Sequence, residues 1–240
     1  MISGGGRVRE FVILLVKEEK ALFSSPVAYA VIAVFLLIMG YSFTLTLFIS
    51  HSTTLVHLFF QMFALFLLTV PIITMRLIAE ERKLRTIELL LTSPATESQI
   101  VLAKFAASMS LLLLMLVFSS AYPIVLGIYG DPDWGPIFSG YIGLVLMAGA
   151  LVGFGLFASA LTANQIIAAL LSLSTFLVLW IIDDFGYLLP DPLDTFVVNL
   201  SLSGHFKPFA TGSLYLSDVA FYVSAALLTL FLSVRALAWR

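Results

Sequence analysis

The sequence predicts an all-α membrane protein: an N-terminal amphipathic surface helix, then six transmembrane helices, with short re-entrant helices between the fifth and sixth. Three observations lead there. Of 240 residues, 61% are hydrophobic and only 11% are charged, whereas a soluble domain carries about 25% charged residues. Mean hydropathy is +1.10. Six apolar runs, each without Asp, Glu, Lys or Arg, approach or exceed the roughly 20 residues that cross about 30 Å of hydrocarbon.

The chain opens with Arg7 and Arg9 before a short apolar run, 11–16, followed by Lys17-Glu18-Glu19-Lys20. That run is too short for a secretory signal core, so the first long apolar segment is expected to be retained. Residues 8–23 place Val8, Phe11, Val12, Leu15 and Leu22 near helical spacing, with charges over much of the remainder. The pattern fits an amphipathic helix lying on a membrane surface; a charged extension of the first span is the alternative. Ser24-Ser25-Pro26 restarts the chain, with Ser25 as N-cap and Pro26 in the first helical position.

The expected spans are 27–50, 56–75, 105–128, 138–161, 166–182 and 219–234, the fifth with room to extend past Asp183. Six spans put Arg7, Arg9, Lys17, Lys20, Arg76, Arg82, Lys83, Arg85, Lys104, Arg235 and Arg240 on one side and leave Lys207 on the other. The positive-inside rule makes the first side the cytoplasm, with both termini there, as in a multi-pass protein of a bacterial inner membrane. Every Glu falls on that side and every Asp on the other.

The outer connections are unequal. Residues 51–55 form a short turn. Residues 129–136 are dense in turn formers, with Tyr129 and Trp134 suited to an interfacial belt. Residues 183–218 are long and partly apolar, with pieces 185–189 and 195–202 broken by Pro190 and Pro192. Neither piece can span, so both are expected as short re-entrant or interfacial helices buried against protein. Asp183-Asp184 reads as a solvated boundary at a helix end. No internal repeat or low-complexity tract is evident, and one membrane domain covers 1–240.

The spans hold no ionisable group of the kind that marks proton or ion pathways. No lysine follows a glycine, so there is no G-x-x-x-x-G-K-[ST] phosphate loop. His51, His57 and His205 lack zinc-ligand spacing. The absence of cysteine excludes disulfides and thiolate metal sites, and a net charge of −2 argues against a nucleic-acid partner. No catalytic residue, cofactor or metal site is expected. A transporter built this way must draw its energy from another subunit.

The most informative segment lies between spans two and three. Charge is concentrated in Glu80-Glu81-Arg82-Lys83-Leu84-Arg85, and an apolar piece, Ile87-Glu88-Leu89-Leu90-Leu91, follows. Pro94 disfavours helix at Ser93. Thr96-x-x-Gln99 then forms a capping box that opens the third span. The result is a short helix outside the bilayer whose apolar side chains need cover. A groove on a cytosolic partner would supply it, as would the lipid surface.

The run from Arg76 through Glu80-Glu81-Arg82, Thr86-Ile87-Glu88-Leu89-Leu90 and Thr92-Ser93-Pro94 to Lys104 resembles the cytoplasmic loop of ABC-2 type transporter permeases, closest to the gliding-motility-associated subgroup. Similarity extends over nearly the whole chain, including Phe23-Ser24-Ser25-Pro26-Val27-Ala28-Tyr29, Leu161-Thr162-Ala163-Asn164-Gln165, and the tail from His205-Phe206 to Arg235-Ala236-Leu237. The loop motif is specific; the apolar spans are not. Many members carry Gly before the Thr-Ile-Glu-Leu-Leu run, where Arg85 stands here. Gly eases a sharp turn, so with Arg85 the turn can give way to continuing helix.

The resemblance implies a coupling helix at 86–93, in the first cytoplasmic loop, and re-entrant helices between spans five and six. It implies a functional unit of two permease subunits, as a homodimer, with a dimer of ABC ATPase subunits that bind ATP and Mg. Carried over by position, Glu81, Arg82, Thr86, Ile87, Glu88, Leu89 and Leu90 lie at or beside the ATPase contact. The function implied is that of the permease subunit of an ATP-driven exporter. The alternative is a membrane scaffold whose ATPase-driven motion acts on an extracytoplasmic partner. An ion-coupled secondary transporter is the weakest reading, because the spans lack titratable groups.

The fourth span is rich in small residues, and Gly149-x-x-x-Gly153 permits close helix contact, within one subunit or at a dimer seam. Thr44, Thr46, Ser172, Ser174 and Thr175 either line a path or hydrogen-bond to their own helices.

Overall fold

A computed structural model of the chain describes residues 4–50, 54–88, 95–185 and 198–238. Among the described residues every regular element is helical. Helix α1 covers Gly4–Phe23, α2 Pro26–Leu45 with a π-helical turn at Thr46–Ser50, α3 Val56–Thr74 and α4 Ala79–Lys83. Next come α5 Glu97–Ser119, α6 Ala121–Tyr129, α7 Trp134–Leu161, α8 Gln165–Phe185, α9 Leu202–Thr211 and α10 Leu216–Ala238. Among the described residues six segments are long and apolar enough to cross a membrane: Pro26–Phe48, Val56–Lys83, Glu97–Tyr129, Trp134–Leu161, Gln165–Asp183 and Leu216–Ala238.

Local chemistry sets the helix starts. Ser25 is extended, and its hydroxyl accepts from the Val27 N–H at 3.3 Å, with Pro26 next. The capping box at α5 is closed in both directions: the Thr96 N–H donates to Gln99 Oε1 at 2.9 Å, and the Gln99 N–H to Thr96 Oγ1 at 3.4 Å. Asp133 Oδ1 caps α7 through the Gly135 N–H at 3.0 Å. The extended Ser25 separates α1 from α2, so α1 is not a prolongation of the first span; it packs chiefly along α5. Leu14, Glu18 and Leu22 face the bundle, and Val8, Val12, Ile13 and Val16 face out.

Two boundaries differ from expectation. The third span begins at Glu97 rather than 105, which draws Lys104 into a helix. It is also interrupted at Ser120, where α5 gives way to α6. Pro123 has no N–H to offer the carbonyl four residues back, so the helical ladder is broken there. Helix α8 passes Asp183 and ends at Phe185.

Helix α7 is the centre of the bundle and packs against α10, α3, α9, α8 and α5. Its small residues serve contacts inside the chain. A Cβ on Gly140 would lie 2.7 Å from the Phe59 ring, one on Gly153 would lie 3.3 Å from the Ala226 carbonyl, and one on Gly155 would strike Thr74. Lipid gives helices no hydrophobic reason to associate, so such close approach supplies the packing energy. The stripe containing Gly153 therefore seats α10 within the subunit.

At the far end, α9 docks on α7 through buried Phe209, which lies against Gly143 and whose carbonyl accepts from Ser139 Oγ at 2.5 Å, while buried Phe206 packs on Phe60 and Phe63 of α3. The pieces expected at 185–189 and 195–202 lie largely outside the described residues. Asp183 is not a solvated boundary: it is buried, ion-paired with Lys207, and accepts from Ser203 Oγ at 3.3 Å. His205 joins Asp218 Oδ1 at 2.7 Å to the Asn199 carbonyl at 3.0 Å, and stacks on Phe221.

Candidate functional site

The segment between α3 and α5 is held to the bundle at its near side and free at its tip. Helix α3 ends at Thr74, and the chain turns through Met75–Ile78 before α4. Ile78, the N-cap of α4, gives no side-chain hydrogen bond. Ser159 of α7 takes over that role from 80 residues away. Its Oγ accepts from the Ile78 N–H at 3.1 Å and the Ala79 N–H at 3.0 Å, and donates to the Met75 carbonyl at 3.2 Å. Helix starts leave N–H groups without partners, and here a buried hydroxyl satisfies two of them. Around it, Leu77, Ile78, Ile100, Val101, Leu156, Ala160 and Leu237 form a second apolar cluster, with Leu14 and Ile87 packed against it.

An ionic cluster lies beside this apolar one. Lys104 is 2% exposed. Its Nζ donates to Glu81 Oε1 at 2.8 Å and Glu18 Oε2 at 3.1 Å. Lys17 stands 3.4 Å from Glu18 and 3.8 Å from Glu81. One lysine on the third span thus joins α1 to α4. Arg82 Nη2 donates to the Ala236 carbonyl at 3.0 Å, near the C-terminus of α10, where a helix presents partial negative charge to a cation.

Helix α4 closes in a Schellman turn. The Thr86 N–H reaches the Glu81 carbonyl at 3.0 Å and the Arg85 N–H the Arg82 carbonyl at 3.2 Å. Arg85 sits at φ 57, in the left-handed region. The sharp turn is therefore made with arginine where glycine would be unstrained, and continuing helix does not replace it. The turn's own hydrogen bonds hold it, at a cost of about 1–2 kcal/mol for a residue with a Cβ.

The expected site residues fall into two groups. Glu81 and Arg82 point into the bundle and anchor the loop; Ile87 packs on the second cluster. Thr86 and Glu88 are exposed, as are Lys83, Leu84 and Arg85 beside them. Leu89 and Leu90, and most of the segment at 86–93, lie outside the described residues. Sequence reasoning missed Ser159, Glu18 and the burial of Lys104. Only Glu18 carried a local signal: it shares a helical face with Leu14 and Leu22.

The hydroxyls weighed as path-lining groups on the first and fifth spans bond to their own helices. Thr44 donates to the Gly40 carbonyl at 2.8 Å, Thr46 to Ser42 at 2.9 Å, Ser172 to Ala168 at 3.0 Å and Thr175 to Leu171 at 2.8 Å. Among the described residues no group of three or more His, Asp or Glu side chains is placed to hold a metal ion.

The family model described as "ABC-2 family transporter protein" matches residues 57–233. The chain belongs to the ABC-2 transporter family. That match runs from the first turn of α3 into α10 and includes the whole loop. No curated protein matches the chain. ABC-2 membership and the six apolar segments make it a multi-pass membrane component of an ABC transporter, associated with an ATPase partner.

Proposed function

We propose that this ABC-2 protein is the transmembrane permease subunit of an ATP-driven exporter in a bacterial inner membrane. Both termini and the 76–96 loop face the cytoplasm. A second copy completes the membrane unit, and a dimer of ATPase subunits binds ATP and Mg. The resemblance of its loop motif to that of the gliding-motility-associated subgroup supports extending the reading to an auxiliary protein on the outer face.

The observation that carries this reading is the division of the loop. Its near side is tied to four helices through Ser159, Lys104, Glu18 and the Ala236 carbonyl. Its tip, Lys83–Thr86 and Glu88, is exposed, with Leu84 63% accessible. A force applied at such a tip reaches α1, α5, α7 and α10 together, because the ties are short and buried. Apolar surface on α2 and α8, including Leu37 and Val178, is left to lipid and to the second permease subunit.

The test is co-purification with a Walker-type ATPase. A Glu88→Ala, Leu89→Arg double variant is expected to lose the ATPase and any ATP-dependent transport while keeping its helix content. If assembly and ATP-linked transport both survive that change, docking through this segment is wrong.

A further inference from the structure

Between α1, α2, α3, α4 and α5, behind the loop, lies a cavity of about 340 Å³. Volumes of roughly 300–1,000 Å³ are typical of small-ligand sites. Its wall is divided. Leu22, Val27, Ile73 and Leu111 make an apolar side. Lys17, Glu18, Arg76, Glu80, Glu81 and Lys104 make a charged one. Arg76 and Ile72 are both exposed, so the cavity opens sideways out of the bundle, where α3 leaves its spanning segment.

The charges do not all cancel among themselves. Lys17 and Lys104 lie on Glu18 and Glu81, two cations against two carboxylates. That leaves Arg76 and Glu80, which make no ion pair with each other or with another described residue. Glu81 Oε2 is also buried without a hydrogen-bond partner, and such an atom is costly to leave unmatched. The lining therefore lacks one anion, at Arg76, and one cation with N–H donors, at Glu80 and Glu81. A quaternary ammonium meets the charge but cannot donate to Glu81 Oε2. A primary ammonium can. With apolar walls beside these groups, the complementary ligand is an amphiphile whose head joins a phosphate to a primary amine.

We propose that the cavity binds one phospholipid of the phosphatidylethanolamine class from the adjoining leaflet. Its phosphate lies on Arg76, its ammonium on Glu80 and Glu81, and the start of its acyl chains lies along Leu22, Val27 and Ile73. The lipid would thus wedge between α1 and the root of the loop. This does not depend on the ATPase reading, and its test needs no partner subunit.

The experiment uses the purified full chain in phosphatidylglycerol vesicles carrying a trace of photoactivatable phosphatidylethanolamine. Labelling is expected to saturate and to map to residues 17–28 and 72–81. Against that phosphatidylglycerol background, unlabelled phosphatidylethanolamine should compete about tenfold better than phosphatidylcholine, the scale of one charge-assisted hydrogen bond. Arg76→Gln and Glu80→Gln should each weaken labelling by about the same factor, with elution profile and helix content unchanged. Labelling that never saturates, or equal competition by phosphatidylcholine, overturns the site. Soluble phosphoethanolamine competing as well as the lipid overturns the lipid source. Should either variant misfold, the competition series on the unaltered chain decides alone.

Discussion

Each end of the bundle ties helices together with a lysine set on carboxylate, and the two ends differ in what surrounds it. At the basic end Lys104 is 2% exposed and lies between Glu18 of α1 and Glu81 of α4. At the far end Lys207 is 56% exposed and, among the described residues, is ion-paired with Asp183 of α8 alone. Charge attraction strengthens as the effective dielectric falls, and so does the penalty for leaving a charge unmatched. The same pair of residue types therefore acts as a lock in one place and as trim in the other. The far end gets its cohesion instead from Phe209 packed on α7 and Phe206 packed on α3.

The sharpest way to break that contrast is Lys104→Met. It leaves Glu18 and Glu81 facing each other with only the half-exposed Lys17 beside them, and removing the buried member of such a cluster costs up to about 3–5 kcal/mol. Thermal unfolding in detergent should show the loss. Adding Glu18→Gln and Glu81→Gln should recover most of it, because the uncompensated charges go. A loss below about 1 kcal/mol, the value of an exposed pair, would mean that Lys104 is no more a lock than Lys207.

Ser159→Ala comes next. It strips the Ile78 and Ala79 N–H groups of their acceptor inside an apolar cluster, and a buried unsatisfied group costs about 1–3 kcal/mol. Amide exchange at Ile78 and Ala79 should accelerate while that of α9 stays unchanged. Uniform acceleration across both ends would show that the loop root has no separate anchorage.

A smaller effect, of opposite sign, is expected at Arg85. Glycine adopts φ 57 without the Cβ clash, but loses more freedom on folding, so Arg85→Gly should stabilise by about 0.5–1 kcal/mol. The gain should appear as slower proteolysis of the loop, with the far end unaffected. Destabilisation would mean that the arginine side chain does more than sit in a strained turn.

How much of this was legible in the sequence follows from distance along the chain. The spans were readable because lipid imposes one requirement on each of some 20 consecutive residues. The caps at Ser25 and Thr96 were readable because partner and cap lie within three residues. The anchors of the loop were not. Lys104 and Glu18 are 86 residues apart, and Ser159 lies 81 residues from Ile78. Lys104 reads as a loop cation when the span is counted from the apolar run that follows it, although the capping box at Thr96 places it inside the helix. Ser159 looked like one more small residue on a Gly-rich helix. At the far end Asp183 reads as a solvated acid because Ser203 and Lys207 lie 20 and 24 residues on.

Lys207→Met tests the contrast at its weak end. Lys207 is more than half in solvent, so water and salt already screen its attraction to Asp183. Asp183 keeps the Ser203 hydroxyl after the lysine is gone. An exposed pair of this kind contributes about 0.2–1 kcal/mol, and the loss should shrink further as salt is raised. Lys104→Met should respond far less to salt, since ions do not reach a buried cluster. If the two variants instead lost stability equally and with the same salt dependence, burial would not be what separates the ends. The loop's attachment to the bundle would then rest on its apolar cluster, on Ser159 and on the Arg82 contact with the Ala236 carbonyl.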